Sequence, residues 1–135
     1  MRKVVKAIIF QDNKYLLQLR DCKREISYPN HWCFFGGGVQ DSESDEKALK
    51  REVFEEIYWK PKEIKYYKKS KDESTNCIIS YYLVRFDSYH SKLKLNEGQS
   101  MKWFLLEEMV NLIKTPSNML EMLDDNNFKK ILSSF

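Results

Sequence analysis

Glycine, proline, cysteine and histidine are all scarce in this chain, with 4, 3, 3 and 2 copies among 135 residues, and each scarcity removes a class of protein. So little glycine and proline excludes collagen-like and low-complexity chains. Cys22, Cys33 and Cys77 form no CxxC pair, and their odd number builds no disulfide framework, so buried thiols in a reducing cytoplasm are expected. His31 lies near Cys22 and Cys33, but the spacing is wrong for a zinc site. No apolar run reaches the roughly 18 residues that a membrane helix needs. The apolar stretch within Met1 to Phe10 is broken by Lys6 and is too short for a signal-peptide core. No membrane partner is expected. An excess of one sign of charge is missing as well: 23 basic against 20 acidic residues give +3, too mild a balance to predict a nucleic-acid partner.

What the chain does hold is 42% hydrophobic, 14% aromatic and 32% charged residues, enough to bury a core. Its length fits a single domain over 1–135, since domains commonly run to about 100–150 residues. Val4 to Phe10 and Tyr15 to Leu19 read as strands joined by a turn at Asp12-Asn13. Asp21 to Asn30 is polar and reads as a loop, and Trp32 to Phe35 is a short apolar run stopped by glycines. Ser44 is a good N-cap, Asp45 and Glu46 suit the positive end of a helix, and Leu49, Val53 and Ile57 recur every four residues, which predicts an amphipathic helix through Trp59. Pro61 opposes its continuation, and the lysine-rich Lys60 to Lys71 reads as a solvated edge strand and loop. Cys77 to Phe86 and Met101 to Leu106 are further strands, and Glu107 to Ile113 and Asn118 to Leu132 have helical spacing around Pro116. These elements predict one mixed α/β or α+β layered core.

Three of the four glycines stand together at Gly36, Gly37 and Gly38, between a strand and a helix. A loop of this kind either presents backbone groups to a metal or phosphate or is an ordinary tight turn. The helix that follows carries Glu52, Glu55 and Glu56 within an arc of about 100°, beside its apolar stripe. Such like charges repel one another and cost more where partly buried, unless a cation compensates. Carboxylates and carbonyls are ligands of a hard divalent cation; the alternative is a solvated acidic face neutralised by Lys47, Lys50 and Arg51.

Gly37, five residues, Glu43, seven residues and then Arg51-Glu52-Val53-Phe54-Glu55-Glu56 resembles the Nudix box of the Nudix hydrolases, here over residues 37–59. The pattern departs from the family at Tyr58 and Ser42, which replace glycines, and at Phe35, which replaces a proline. The resemblance implies an α/β/α sandwich around a mixed sheet. It also implies a nucleotide pyrophosphohydrolase that cleaves a nucleoside diphosphate linked to another moiety. It further implies Mg²⁺, with Mn²⁺ as the alternative, held by the Gly36 carbonyl, Glu52, Glu55 and Glu56, with Arg51 and Glu43 orienting the ligands. Gly37 and Gly38 fall in its substrate-binding loop.

Outside the box, Glu97 in Asn96-Glu97-Gly98-Gln99 is similar to a MutT-type glutamate that reaches the metal, either as a ligand or, alternatively with Glu55, as the general base; a plain turn glutamate is the other reading. Arg20 resembles a phosphate-contacting arginine of the family. Asn118 looks like an asparagine that reads a purine edge in MutT-type members, and a helix N-cap accounts for it as well. The favoured substrate is a nucleoside triphosphate. A nucleotide sugar or dinucleoside polyphosphate is the alternative, and a non-catalytic nucleotide- or RNA-binding module using the lysine run comes after both. Neither the general base nor the oligomeric state is legible in the sequence.

Overall fold

The computed structural model describes residues 1–21, 30–89, 93–109, 122–123 and 125–135. The first strand, β1 (Arg2–Gln11), buries both of its faces. Val5, Ala7 and Ile9 join one apolar cluster, while Val4, Ile8 and Phe10 join another. A strand buried on both sides belongs at the centre of a sheet covered by two layers. Helix α1 (Asp45–Ile57) covers one face through Ala48, Leu49, Val53 and Ile57. The other face is covered by Met109 of α2 (Leu106–Met109), Met122, Leu123 and Phe128 of α3 (Asn126–Ser133). The result is the expected α/β/α sandwich.

β1 runs parallel to β6 (Cys77–Arg85), which pairs in turn with β5 (Glu63–Asp72) at the sheet edge, antiparallel and with a bulge between Tyr66 and Lys68. On its other side β1 meets β2 (Lys14–Leu19) only beside the turn, at Phe10 and Gln11. The two strands then diverge, and the fork between them holds the chain from Trp32 to Gly38. Its first part, β3 (Trp32–Cys33), pairs with the end of β2; its second, β4 (Phe35–Gly38), pairs with the start of β1. β7 (Ser100–Leu105) lies on the far side of β2. Among the described residues the sheet is thus mixed and seven-stranded.

Three expectations need correction. The glycines do not end a strand: Gly36, Gly37 and Gly38 are strand β4, opposite Lys6, Val5 and Val4. A Cβ on Gly36 would lie 2.0 Å from the Val5 carbonyl oxygen, so only glycine permits this backbone approach. Helix α1 stops before Trp59, because Tyr58 takes the left-handed conformation at φ 55° and its N–H closes on the Phe54 carbonyl. The helix expected over Asn118–Leu132 is not continuous, since Asp125 is extended and caps a fresh helix by accepting from the Asn127 N–H. Cys22, Tyr28-Pro29, Pro116 and Asn118 lie outside the described residues.

Ser42 is also left-handed, at φ 66°. Both departures from the glycines of the box therefore occupy the conformation in which glycine is least strained. Tyr58→Gly is expected to raise stability by about 0.5–1 kcal/mol. The check is a higher urea midpoint at unchanged m-value. A lower midpoint would mean that the edge-on Phe54–Tyr58 ring contact outweighs the strain.

Candidate active site

Arg51 organises the exposed flank of α1. Its Nε and one terminal nitrogen donate to the two Glu43 oxygens at 2.7 and 2.9 Å. The remaining donors reach Glu52 at 2.9 Å, the Gly38 carbonyl at 3.0 Å and, more loosely, Glu55. This fork ties helix, preceding turn and glycine strand together, as a planar guanidinium can and an ammonium cannot. The Arg51 hydrogen bonds, helped by the Gln40 N–H, hold the Glu43 carboxyl down at about 2.

Glu56 lies on the buried flank of the same helix, at 2% exposure. One oxygen accepts from the Gly36 N–H and the other from Gln18 Nε2, both at 3.0 Å. Burial pushes its carboxyl up to about 8; the charge of Lys6 opposes the shift, and those of Glu52 and Glu97 add to it. Glu52 is raised too, first by burial, against the pull of Arg51. Its carboxylate occupies the space where Gly37 has no side chain: a Cβ there would stand 2.4–2.6 Å from the carboxylate atoms.

Glu97 arrives from another part of the chain. The segment before it satisfies carbonyls at the end of α1, with the Asn96 N–H on Glu56 at 2.7 Å, Asn96 Nδ2 on Glu55 at 3.1 Å and the Lys94 N–H on Ile57. The Gln99 N–H then bonds to the Leu19 carbonyl, which fixes the other side of the loop against β2. Glu52, Glu56 and Glu97 thereby share one wall of a cavity of about 310 Å³ with Arg20, Gly36, Gly37 and Gly38. Glu43, Arg51 and Glu55 do not line it, and Glu55 is exposed. Asn118 lies outside the described residues.

The sequence matches the NUDIX domain family over residues 1–125. The chain belongs to that family. It is a Nudix hydrolase, as the spacing from Gly37 to Glu56 implied. It is 30% identical over 118 residues to the CTP pyrophosphohydrolase of Escherichia coli (strain K12), covering 87% of this chain and 86% of the relative. It is 38% identical over 78 residues to the RNA pyrophosphohydrolase of Pasteurella multocida (strain Pm70), a match to 58% of this chain but only 37% of that longer protein. In structure it resembles the MutT protein of Methanosarcina mazei Go1, with a TM-score of 0.77 at 21% identity over 97% of this chain and 94% of the other.

Gln18, which holds Glu56, and Lys6 line the same cavity and are among the residues that the sequence reading did not single out. Each left a signal, since each is a polar residue inside an apolar run of its strand. A divalent cation is a group the family implies, and the donor set fits one. Glu52, Glu56 and Glu97 are hard oxygen ligands whose mutual charge is destabilising without a cation. The glycine strand also clears the space over Glu52. Among the described residues, however, no three His, Cys, Asp or Glu side chains are already drawn together as a metal site. Arg51 holds Glu52, while Gln18 and Gly36 hold Glu56.

Proposed function

We propose that this Nudix hydrolase is a pyrophosphohydrolase of nucleoside triphosphates that releases a nucleoside monophosphate and pyrophosphate. The observation that carries the reading is the set of Glu52, Glu56 and Glu97, coupled by charge, lining one cavity with Arg20. The likeness to a CTP pyrophosphohydrolase across most of both chains supports it. In this reading Glu52, Glu56 and the Gly36 carbonyl hold Mg²⁺ or Mn²⁺, and whichever of Glu55 and Glu97 does not act as the base is a further ligand. The ion supplies charge neutralisation on the phosphate oxygens and a more acidic water. Arg20, which lines the same cavity as the glycine strand, binds phosphate oxygens. Glu97 faces the cavity and takes the proton of the attacking water, a role for which Glu55 on the outer flank is the second candidate. Arg51 and Glu43 position the carboxylates. The likeness to an RNA pyrophosphohydrolase favours one second reading, in which the triphosphate is the 5′ end of an RNA.

The test is ion-exchange analysis of products from CTP, the other nucleoside triphosphates, 5′-triphosphorylated RNA, nucleotide sugars and dinucleoside polyphosphates, each with Mg²⁺, Mn²⁺ or EDTA. Monophosphate and pyrophosphate from free triphosphates, abolished by EDTA, are expected. Turnover restricted to RNA moves the assignment to the second reading, and cleavage of only nucleotide sugars or dinucleoside polyphosphates overturns both. A thermal scan adds a readout independent of turnover. Mg²⁺ at about 100 times its Kd is expected to stabilise the protein by about 2.7 kcal/mol, and a cation that leaves the melting temperature unchanged would remove the metal assignment.

A further inference from the structure

Lys6 interrupts the apolar face of β1 that runs through Val4, Ile8 and Phe10. It is partly buried, and the desolvation of an ammonium demands partners. An ammonium has three N–H donors and no acceptor. One donor reaches the Phe34 carbonyl at 3.3 Å, the residue where the chain switches from pairing with β2 to pairing with β1. Lys6 makes no ion pair among the described residues. The group therefore faces the cavity with unspent donors.

Its position in the cavity suggests what spends them. Across the sheet, Lys6 is flanked by Gly36 of β4 and by Tyr81 of β6. Gly36 belongs to the wall with Glu52 and Glu56, the proposed phosphate end. The lining also includes Val4, Phe34, Ile79 and Met122, an apolar group interrupted by Arg2, Asp72 and Thr75. An apolar recess with a few placed polar groups suits a flat heterocycle. Lys6 lines the cavity together with both groups of residues, and its N–H groups, which offer no acceptor in return, suit a keto oxygen, a stronger acceptor than the ring nitrogens of adenine.

We propose that Lys6 is a base-specificity residue, whose ammonium donates to a ring keto oxygen, so that cytosine, uracil and guanine nucleotides are preferred over adenine nucleotides. The proposal rests on the triphosphate reading above. The structural alternative, that Lys6 serves only the Phe34 carbonyl, predicts no dependence on the base.

The experiment measures kcat/KM for CTP, UTP, GTP and ATP with the native protein, Lys6→Met, which keeps the length and loses the donors, and Lys6→Gln, which keeps an N–H. The native ratio of each keto nucleotide to ATP is expected to be about 30-fold or more, in the range of a hydrogen bond to a charged group. In Lys6→Met each ratio should fall at least tenfold, and Lys6→Gln should recover part of it. Losses of equal size on all four nucleotides would overturn the proposal in favour of a phosphate contact or a structural role, and so would unchanged ratios. Calorimetric binding of CMP and AMP separates the two readings. Keto-selective binding that Lys6→Met abolishes, in a protein that cleaves no triphosphate, would retain Lys6 as the base reader and reject the pyrophosphohydrolase assignment.

Discussion

Glu56→Gln is expected to cut turnover by roughly 10²- to 10³-fold, the cost of losing one preorganised charged group in a dry site, while the protein stays as stable at neutral pH or becomes more so. Glutamine fills the same volume, and the Gln18 amide can turn to keep its bond to the new side chain, so the two contacts of Glu56 survive. What disappears is a carboxylate whose ionisation is resisted by burial and by Glu52 and Glu97. The pH dependence follows from the direction of that shift. In the unfolded chain this carboxyl ionises near its ordinary value of 4.5, and in the fold near about 8. Between these values the folded state binds the extra proton, so stability falls as pH rises. Metal-free native protein should lose melting temperature from pH 5 towards pH 8 by this contribution, and Glu56→Gln should show a flatter profile. The differential profile across that window, with turnover measured beside it, is the check. Retained activity would remove Glu56 from the site, and parallel pH profiles would show that burial does not resist its charge.

Gly36→Ala and Gly37→Ala are expected to fail in different ways although the residues are adjacent. At Gly36 the new methyl would meet the Val5 carbonyl oxygen at 2.0 Å, and φ is +152°. Neither backbone can yield without opening the β1–β4 ladder, so a loss of about 3 kcal/mol or more is expected, beyond the usual cost of overpacking. At Gly37 the atoms nearest to the methyl are those of the Glu52 carboxylate, the far end of a flexible side chain. That group can swing aside, so stability should change by less than about 1 kcal/mol. Displacing a group that must be held within about 0.5 Å of its productive position should still cost around 10²-fold in turnover. Denaturant midpoints and kcat for the two variants test the split. A stable Gly36→Ala would mean that the strands separate readily, and an active Gly37→Ala would show that the position of Glu52 is not critical.

The acidic half of the candidate site was legible because it is local. Arg51, Glu52, Glu55 and Glu56 lie on one helix, whose 3.6-residue period reads directly from the sequence, and Ser44 marked its start correctly. The rest depends on strand register, which no local pattern carries. That Lys6 comes opposite Gly36, and that Gln18 reaches Glu56, follow from the divergence of β1 and β2 around the chain from Trp32 to Gly38. The glycines read as a loop because glycine is a poor strand former in isolation. In the strand, Gly36 is required because the β1 backbone comes too close for any other residue, while Gly37 leaves the space that the Glu52 carboxylate fills. The exposed Glu55 also shows the limit of helical spacing, which groups residues by angle but does not say which flank opens on the cavity.

The lysines of β5 have a consequence that lies outside catalysis. This strand closes the sheet at one edge, and an unpaired edge is a template on which a second chain can add its own strand. Lys65, Lys69 and Lys71 are exposed along it, with a bulge after Tyr66. An approaching copy of the same edge would bring its own row of ammonium groups against these, so like charge keeps the molecules apart where hydrogen bonding would join them. The run that suggested a nucleic-acid surface in the sequence thus sets like charges along the sheet edge, a repulsion between copies that weakens as salt screens it.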